Sequence, residues 1–176
     1  MRPVATQRER RTATQAAIVD AALALYLEHD SIDPSLDAVA ERAGVAKATV
    51  LYHFESRLGL LRAVAARLYG EIVERLSPID AHADAAAWIR AYLLEGLHPT
   101  ARVFQQVSDV LSYQGGTGIG RGLRSIADSV DALGVHEGTL VVAGATLSMM
   151  RQVVFGRVDE DGIDAFVEEL KGTGLI

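Results

Sequence analysis

The chain has 176 residues, 49% apolar and 23% charged, with a net charge of −6 and no cysteine. This balance excludes an extensively disordered chain, a disulfide scaffold and thiolate chemistry, and argues against a histone-like protein that coats nucleic acid by charge alone. The opening MRPVATQRERRTATQ lacks the apolar core of a signal peptide, and the longest apolar run, residues 140–150, is too short for a membrane span of about 20 residues. Absence of cysteine fits a reducing compartment, so a cytoplasmic protein without a membrane partner is expected.

The first fifteen residues carry Arg2, Arg8, Arg10 and Arg11 against Glu9 alone. They read as a basic arm, either a disordered tail or a contact to a polyanion. A first helix is predicted from about residue 12 or 14 to 29, because Ile18, Ala21, Ala22 and Leu25 recur on one helical face. HDSIDPS ends it, with Pro34 as the break. Ser35 then offers a side-chain cap, and Asp37 in the first turn suits the helix dipole. The second helix runs through Leu36, Val39 and Ala40 to Gly44, a natural C-terminal glycine.

The chain restarts at once. A third helix is predicted over about residues 46–53, with Val50 and Phe54 on one face and Leu51 on its flank. Ala48, Thr49 and Tyr52 point the other way, bordered by Lys47 and His53. Two short helices joined at a glycine, the second with a small, polar and aromatic outer face, have the form of a helix-turn-helix. Lys47 can pair with a phosphate or with guanine O6 and N7. Thr49 offers a hydroxyl or a methyl, Tyr52 a ring face and a hydroxyl, and Ala48 lets the backbone approach a groove. Taken singly, Lys47 and Arg57 read equally well as a solvated helix face, and Tyr52 and His53 as core or half-core packing.

Further helices are predicted over about residues 56–75, 81–96, 99–113, 123–133, 137–157 and 162–171. The glycine-rich GGTGIGRG lies between the third and fourth of these. That stretch lacks the lysine and Ser/Thr of a phosphate loop and does not fit G-x-G-x-x-G, so it reads as a flexible connection. The histidines are scattered, and no G-x-S-x-G, H-E-x-x-H or convergent acid pair appears. No metal, cofactor or catalytic residue is therefore assigned, and an enzyme is not expected.

The segment SLDAVAERAGVAKATVLYHFESRLGLL resembles the DNA-binding domain of TetR-type (tetracycline-repressor-like) transcriptional regulators, over roughly residues 12–70. The resemblance implies an all-α fold: an N-terminal three-helix helix-turn-helix domain, residues 1–57 with the basic arm, and a C-terminal helical ligand and dimerisation domain, residues 58–176. It implies a homodimer whose third helices enter the major groove of double-stranded operator DNA, and a fourth helix that moves when a small molecule binds. Position by position, Lys47, Thr49, Tyr52 and His53 correspond to groove and phosphate contacts, and Arg57 to a basic residue near a phosphate. Ser35 corresponds to the cap of a helix whose N-terminus meets the backbone. Ala46 stands where a capping serine is common. Leu51 stands where a phosphate-contacting tyrosine is common, with Tyr52 one place on.

The C-terminal hundred residues match only in being helical, so no ligand identity carries over. A pocket there needs apolar walls with a few polar groups. Trp88, Tyr92, Phe104, Gln105, Tyr113, Met149 and Phe155 are the candidate walls, each also readable as plain core. Residues 140–150 are apolar nearly all round and are expected to be buried on more than one side. With Gly144 and Ser148, and with Ile163, Phe166, Val167 and Leu170 on one face of the last helix, they form the candidate dimer interface. The reading is a ligand-responsive, dimeric repressor. The alternative is a protein of the same fold without ligand response, acting as a constitutive DNA-binding or protein-interaction module.

Overall fold

The computed structural model describes residues 6–29, 34–80, 83–115, 139–174 and 176, with the side chains of residues 29, 112–115, 139 and 140 outside that description. The expected helix at about 123–133, the glycine-rich stretch beyond Gly115, Arg2 and His82 also lie outside the described residues. Among those described, every regular element is helical: eight α-helices and one 3₁₀ turn. They form two compact units, Met1–Arg67 and Leu68–Ile176.

In the first unit, α1 spans Gln7–His29, α2 Leu36–Ala43 and α3 Lys47–Phe54, and α4 (Arg57–Leu76) begins there. The predicted stripe of α1 is the core. Ile18, Ala21, Ala22 and Leu25 are all buried, joined by Tyr26, and meet Val39 and Ala40 of α2, Val50 of α3, and Leu60, Leu61 and Val64 of α4. The start of α1 differs from the expectation. Thr6 and Glu9 close a capping box: the Thr6 amide donates to Glu9 Oε2 at 2.6 Å and the Glu9 amide to Thr6 Oγ1 at 3.3 Å. The helix therefore begins at Gln7, and Arg8, Arg10 and Arg11 ride on its first turns instead of forming an arm.

Ser35 caps α2 as expected, its Oγ accepting from the Ala38 amide at 3.1 Å. Gly44 ends the helix in the left-handed conformation at φ 66°, and its amide donates to the Glu41 carbonyl at 3.1 Å. Arg42 forks onto Glu28 at 2.7 and 2.6 Å, tying α2 back to α1. Ala46, at the N-cap of α3, supplies no side-chain hydrogen bond, so α3 begins uncapped. Ser56 caps α4 through the Gly59 amide at 3.1 Å.

The second unit contains the end of α4, α5 (Ala85–Leu94), the 3₁₀ turn Glu95–Leu97, α6 (Pro99–Gly115), α7 (Thr139–Val154) and α8 (Glu160–Gly172). Its core joins Ala86, Ile89 and Leu93 of α5 to Val142 and Val153 of α7 and Ile163, Val167 and Leu170 of α8. Asp84 and Asp159 cap α5 and α8 by accepting from the Ala87 and Gly162 amides at 2.8 and 3.1 Å. Arg90 bridges α5 to α8, 2.6 Å from Asp164 Oδ1 and 2.8 Å from Glu160 Oε1. Arg75 of α4 forks onto Glu95 at 2.8 and 2.6 Å.

Two expectations about the last helices need correction. Ile163, Val167 and Leu170 are buried against α5 of their own chain, so the apolar face of α8 is consumed inside the subunit. The α7 segment is buried on one side only, through Val142, Ala143, Thr146 and Val153. Its opposite side, Val141, Gly144, Ser148 and Phe155, is exposed, with Val141 at 64%.

Candidate functional site

The exposed face of α3 is held from behind. Val50 is only 1% exposed and anchors the helix, a burial that contributes about 2 kcal/mol. The residues predicted to face away from it do so. Tyr52 is 70% exposed, Ala48 is exposed, and Thr49 is half-buried at the edge. Leu51 is exposed as well, next to Tyr52, instead of flanking the core. His53 is half-buried, with its ring edge-on to Tyr52 at 5.2 Å between centroids. Its Nδ1 is shielded from solvent and has no hydrogen-bond partner among the described residues, so the ring is committed partly inward.

Two charged neighbours were not legible in the sequence. The Arg11 guanidinium lies 5.8 Å from the centroid of the Tyr52 ring, a cation–π distance. The helical start of α1 thus brings a fixed positive charge to the aromatic face of α3. Lys47 Nζ lies 2.8 Å from Asp37 Oδ2, so the foremost candidate base reader is held by the first turn of α2. Arg57 is exposed at the start of α4. It stands near enough to Tyr26 for its charge to oppose the upward push that burial gives that hydroxyl. Ser35, Lys47, Ala48, Thr49, Tyr52, His53 and Arg57 therefore belong to the one small unit, with Asp37 and Arg11 added to them. The arrangement suits a rigid polyanion: a two-helix corner, a ring face, and cations held at fixed places.

The candidate pocket residues separate into groups. Trp88 and Tyr92 stack on α5 with ring centroids 5.5 Å apart and planes 3° from parallel. Met149 packs against the same core. Burial, and then the field of Tyr69, pushes the Tyr92 hydroxyl up to about 12. Phe104 and Gln105 are half-buried on α6, where the Gln105 amide donates to Asp109 Oδ1 at 2.9 Å. Phe155 is 46% exposed and lines an open depression of about 350 Å³ with Ser148, Arg151, Gln152 and Arg157. The Tyr113 side chain lies outside the described residues. Sequence reasoning missed Thr146. It is 1% exposed, and its hydroxyl has no hydrogen-bond partner among the described residues. Its only signal was a lone hydroxyl in the apolar run of residues 140–150.

Comparison with known proteins follows this geometry. The profile of bacterial regulatory proteins, tetR family, matches residues 18–64, the core of the first unit. The HTH-type transcriptional regulator TtgW of Pseudomonas putida is 30% identical over 111 residues, 60% of this chain and 81% of that protein. SrpR, an HTH-type transcriptional regulator of Pseudomonas putida, is also 30% identical over 111 residues, and there the chain spans about half of the relative's length, 51%. An Acinetobacter baumannii TetR variant solved in complex with minocycline shares the fold, with a TM-score of 0.58 at 21% identity over 89% of this chain and 92% of that one. No helix among the described residues is long and apolar enough to cross a membrane.

Proposed function

Because the chain belongs to the tetR family of bacterial regulatory proteins, and is thus a DNA-binding transcriptional regulator and not an enzyme, we propose that it represses transcription as a homodimer on a palindromic operator and leaves that operator when a small molecule binds. The observation that carries the proposal is the exposed face of α3, with Tyr52 outermost and Lys47, Ala48 and Thr49 beside it, on a helix fixed by Val50. Phosphate contacts from Arg57, the arginines of α1 and the capped start of α2 set the register, and α3 reads base edges. Residues 1–57 form the reading head and 58–176 the ligand and dimerisation part. Its place of action is the cytoplasm, where the DNA is.

The second copy is proposed to meet α7 on its exposed side, Val141, Gly144, Ser148 and Phe155. A contact of this kind is isologous, each copy presenting the same stripe. The ligand is proposed to enter the second unit near Trp88, Tyr92 and Met149. A buried hydroxyl without a partner costs free energy, and Thr146 is suited to receive a polar atom of a guest. The minocycline complex of the Acinetobacter baumannii relative supports this use of the fold. Helix α4 has residues in both units and is the element to carry the signal.

Selection of bound duplexes from random DNA tests the reading. It should yield a near-palindrome with half-site centres about one helical turn, or a multiple of it, apart. Lys47→Ala and Tyr52→Ala should each weaken binding to that site by roughly 1–3 kcal/mol where the residue reads a base. Unchanged affinity in both variants refutes the α3 assignment. For the switch, compounds are screened by Trp88 fluorescence. A compound that releases DNA must bind more weakly, by the same factor, when operator is present. One that binds the second unit equally with and without operator refutes inducer control by that compound and favours the constitutive alternative.

A further inference from the structure

Lys47 and Asp37 are ten residues apart, too far to meet on one helix, and the turn at Gly44 brings them together. Their atoms Nζ and Oδ2 are 2.8 Å apart, with the two side chains 50% and 70% exposed. An exposed pair of this kind contributes little to stability. Asp37 already suits the positive end of α2 without a partner. What the pair changes is the behaviour of Lys47. A free lysine is a mobile point charge that pairs with any phosphate in reach. This one is restrained at the junction of α2 and α3.

The ammonium group has three N–H donors and no acceptor. One donor goes to Asp37. Two remain, the number that the O6 and N7 acceptors of a guanine take in the major groove. The pair is also neutral as a unit, so it releases few counterions from DNA of arbitrary sequence. We infer that Asp37 is a specificity-determining positioning residue: it holds Lys47 as a two-donor reader of a guanine edge and withholds its charge from non-operator DNA. This rests on the reading that α3 enters the major groove. Asp37 has no base to touch in this scheme, and it acts through Lys47.

The test uses the full chain, the operator recovered by selection, and a random-sequence duplex of the same length. Asp37→Ala removes both the charge and the acceptor, while the cap by Ser35 stays in place. Freed, Lys47 becomes an ordinary phosphate contact. Each added phosphate contact steepens the salt dependence by about 0.9 in log–log slope, roughly threefold in affinity between about 50 and about 200 mM salt. On the random duplex at low salt, Asp37→Ala should therefore bind several-fold more tightly, with that steeper slope per head. Operator affinity should rise less, so the specificity ratio falls. Replacing the contacted guanine by 7-deazaguanine, which removes N7, should cost the parent protein about tenfold or more and the variant clearly less. Asp37→Glu, which keeps the charge and the acceptor, should restore the ratio at least in part.

Equal factors on both duplexes would overturn the inference, since Asp37 would then merely repel phosphate. So would an unchanged ratio with an unchanged salt slope. Lys47→Ala separates this failure from failure of the underlying reading. If Lys47→Ala leaves operator affinity intact, α3 is misassigned. If it weakens operator binding while Asp37→Ala leaves the ratio alone, only the role of Asp37 is refuted.

Discussion

Gly59→Ala should damage the DNA-binding unit more than any other glycine substitution made there. Gly59 lies in the first turn of α4, just past the turn that follows α3. A Cβ built on it would lie 1.9 Å from the carbonyl oxygen of Phe54 and 3.0 Å from its carbon. Optimal contact between non-bonded heavy atoms is about 3.5–4.0 Å, so the overlap exceeds an ångström. The obstacle is backbone, and no rotamer change relieves it. The same carbonyl accepts the Ser56 amide at 2.6 Å, so moving it opens the turn that positions α3 against α4. Overpacking usually costs 1–3 kcal/mol, and a backbone clash belongs at or above the top of that range, so about 3 kcal/mol is expected. Two other glycines calibrate the result. Gly44→Ala meets nothing within 4 Å but forces a side chain to φ 66°, at a cost of about 1 kcal/mol. Gly70→Ala meets nothing within 4 Å in the interior of α4 and should stabilise by about 0.5–1 kcal/mol. Urea denaturation followed by circular dichroism ranks the three, and operator binding should fall for Gly59→Ala beyond what unfolding explains. If Gly59→Ala costs no more than Gly44→Ala, the close approach at Phe54 does not fix the turn, and the reasoning is refuted.

Other outcomes are expected from the second unit. Arg90 holds the Asp164 carboxyl below the usual carboxylate range. A carboxyl with a lowered folded pKa adds stability above its unfolded value, near 3.9, and loses it as pH falls through the folded value. Thermal melts should therefore decline less steeply below about pH 4 in Asp164→Asn than in the parent, and parallel curves would refute this. Thr146→Val keeps the shape and removes the unpartnered hydroxyl, so it should stabilise the unit by about 1–2 kcal/mol in chemical denaturation; a net loss would mean that the hydroxyl is satisfied in solution. Gly144→Leu adds bulk where a Cβ meets nothing within 4 Å in its own chain. Sedimentation should show a shift toward monomer with little change in the subunit's secondary structure, and an intact dimer at low concentration would remove α7 from the interface.

Periodicity carried most of the first unit, because α1 buries the stripe of Ile18, Ala21, Ala22 and Leu25 and each end of α2 has a residue that stops or starts a helix for a stated reason. It failed at the start of α1 for an equally definite reason. The capping box of Thr6 and Glu9 is polar and precedes the apolar stripe, so a search for buried faces passes over it. Periodicity also says that a face is buried without saying what covers it. Ile163, Val167 and Leu170 form the stripe expected on α8, yet their cover is α5 of the same chain. The exposed side of α7 was hidden by its composition, since Val141, Gly144 and Phe155 read as core-compatible residues and only the fold shows that this side has no cover among the described residues.

The site itself was legible as residue types and not as charges. A net charge of −6 is compatible with DNA binding because phosphate contacts are local, and the cations of the first unit include Arg8, Arg10 and Arg11 on one end of α1 and Arg57 at the start of α4. Counting Lys47 among them as a free charge overstates the attraction, since Asp37 offsets it at 2.8 Å. Leaving out Arg11 as part of a loose arm understates the order, since it stands over the Tyr52 ring at 5.8 Å. Both errors have one origin. A helix-turn-helix places the first turns of two helices side by side, and residues that are distant in sequence share one solvent-facing corner. On that corner affinity follows from the number of unpaired cations, while discrimination follows from how firmly each donor is held. The structure favours the second at Lys47. An acidic protein can afford little indiscriminate attraction to DNA, and what it keeps is concentrated on groups whose direction is already set before the duplex arrives.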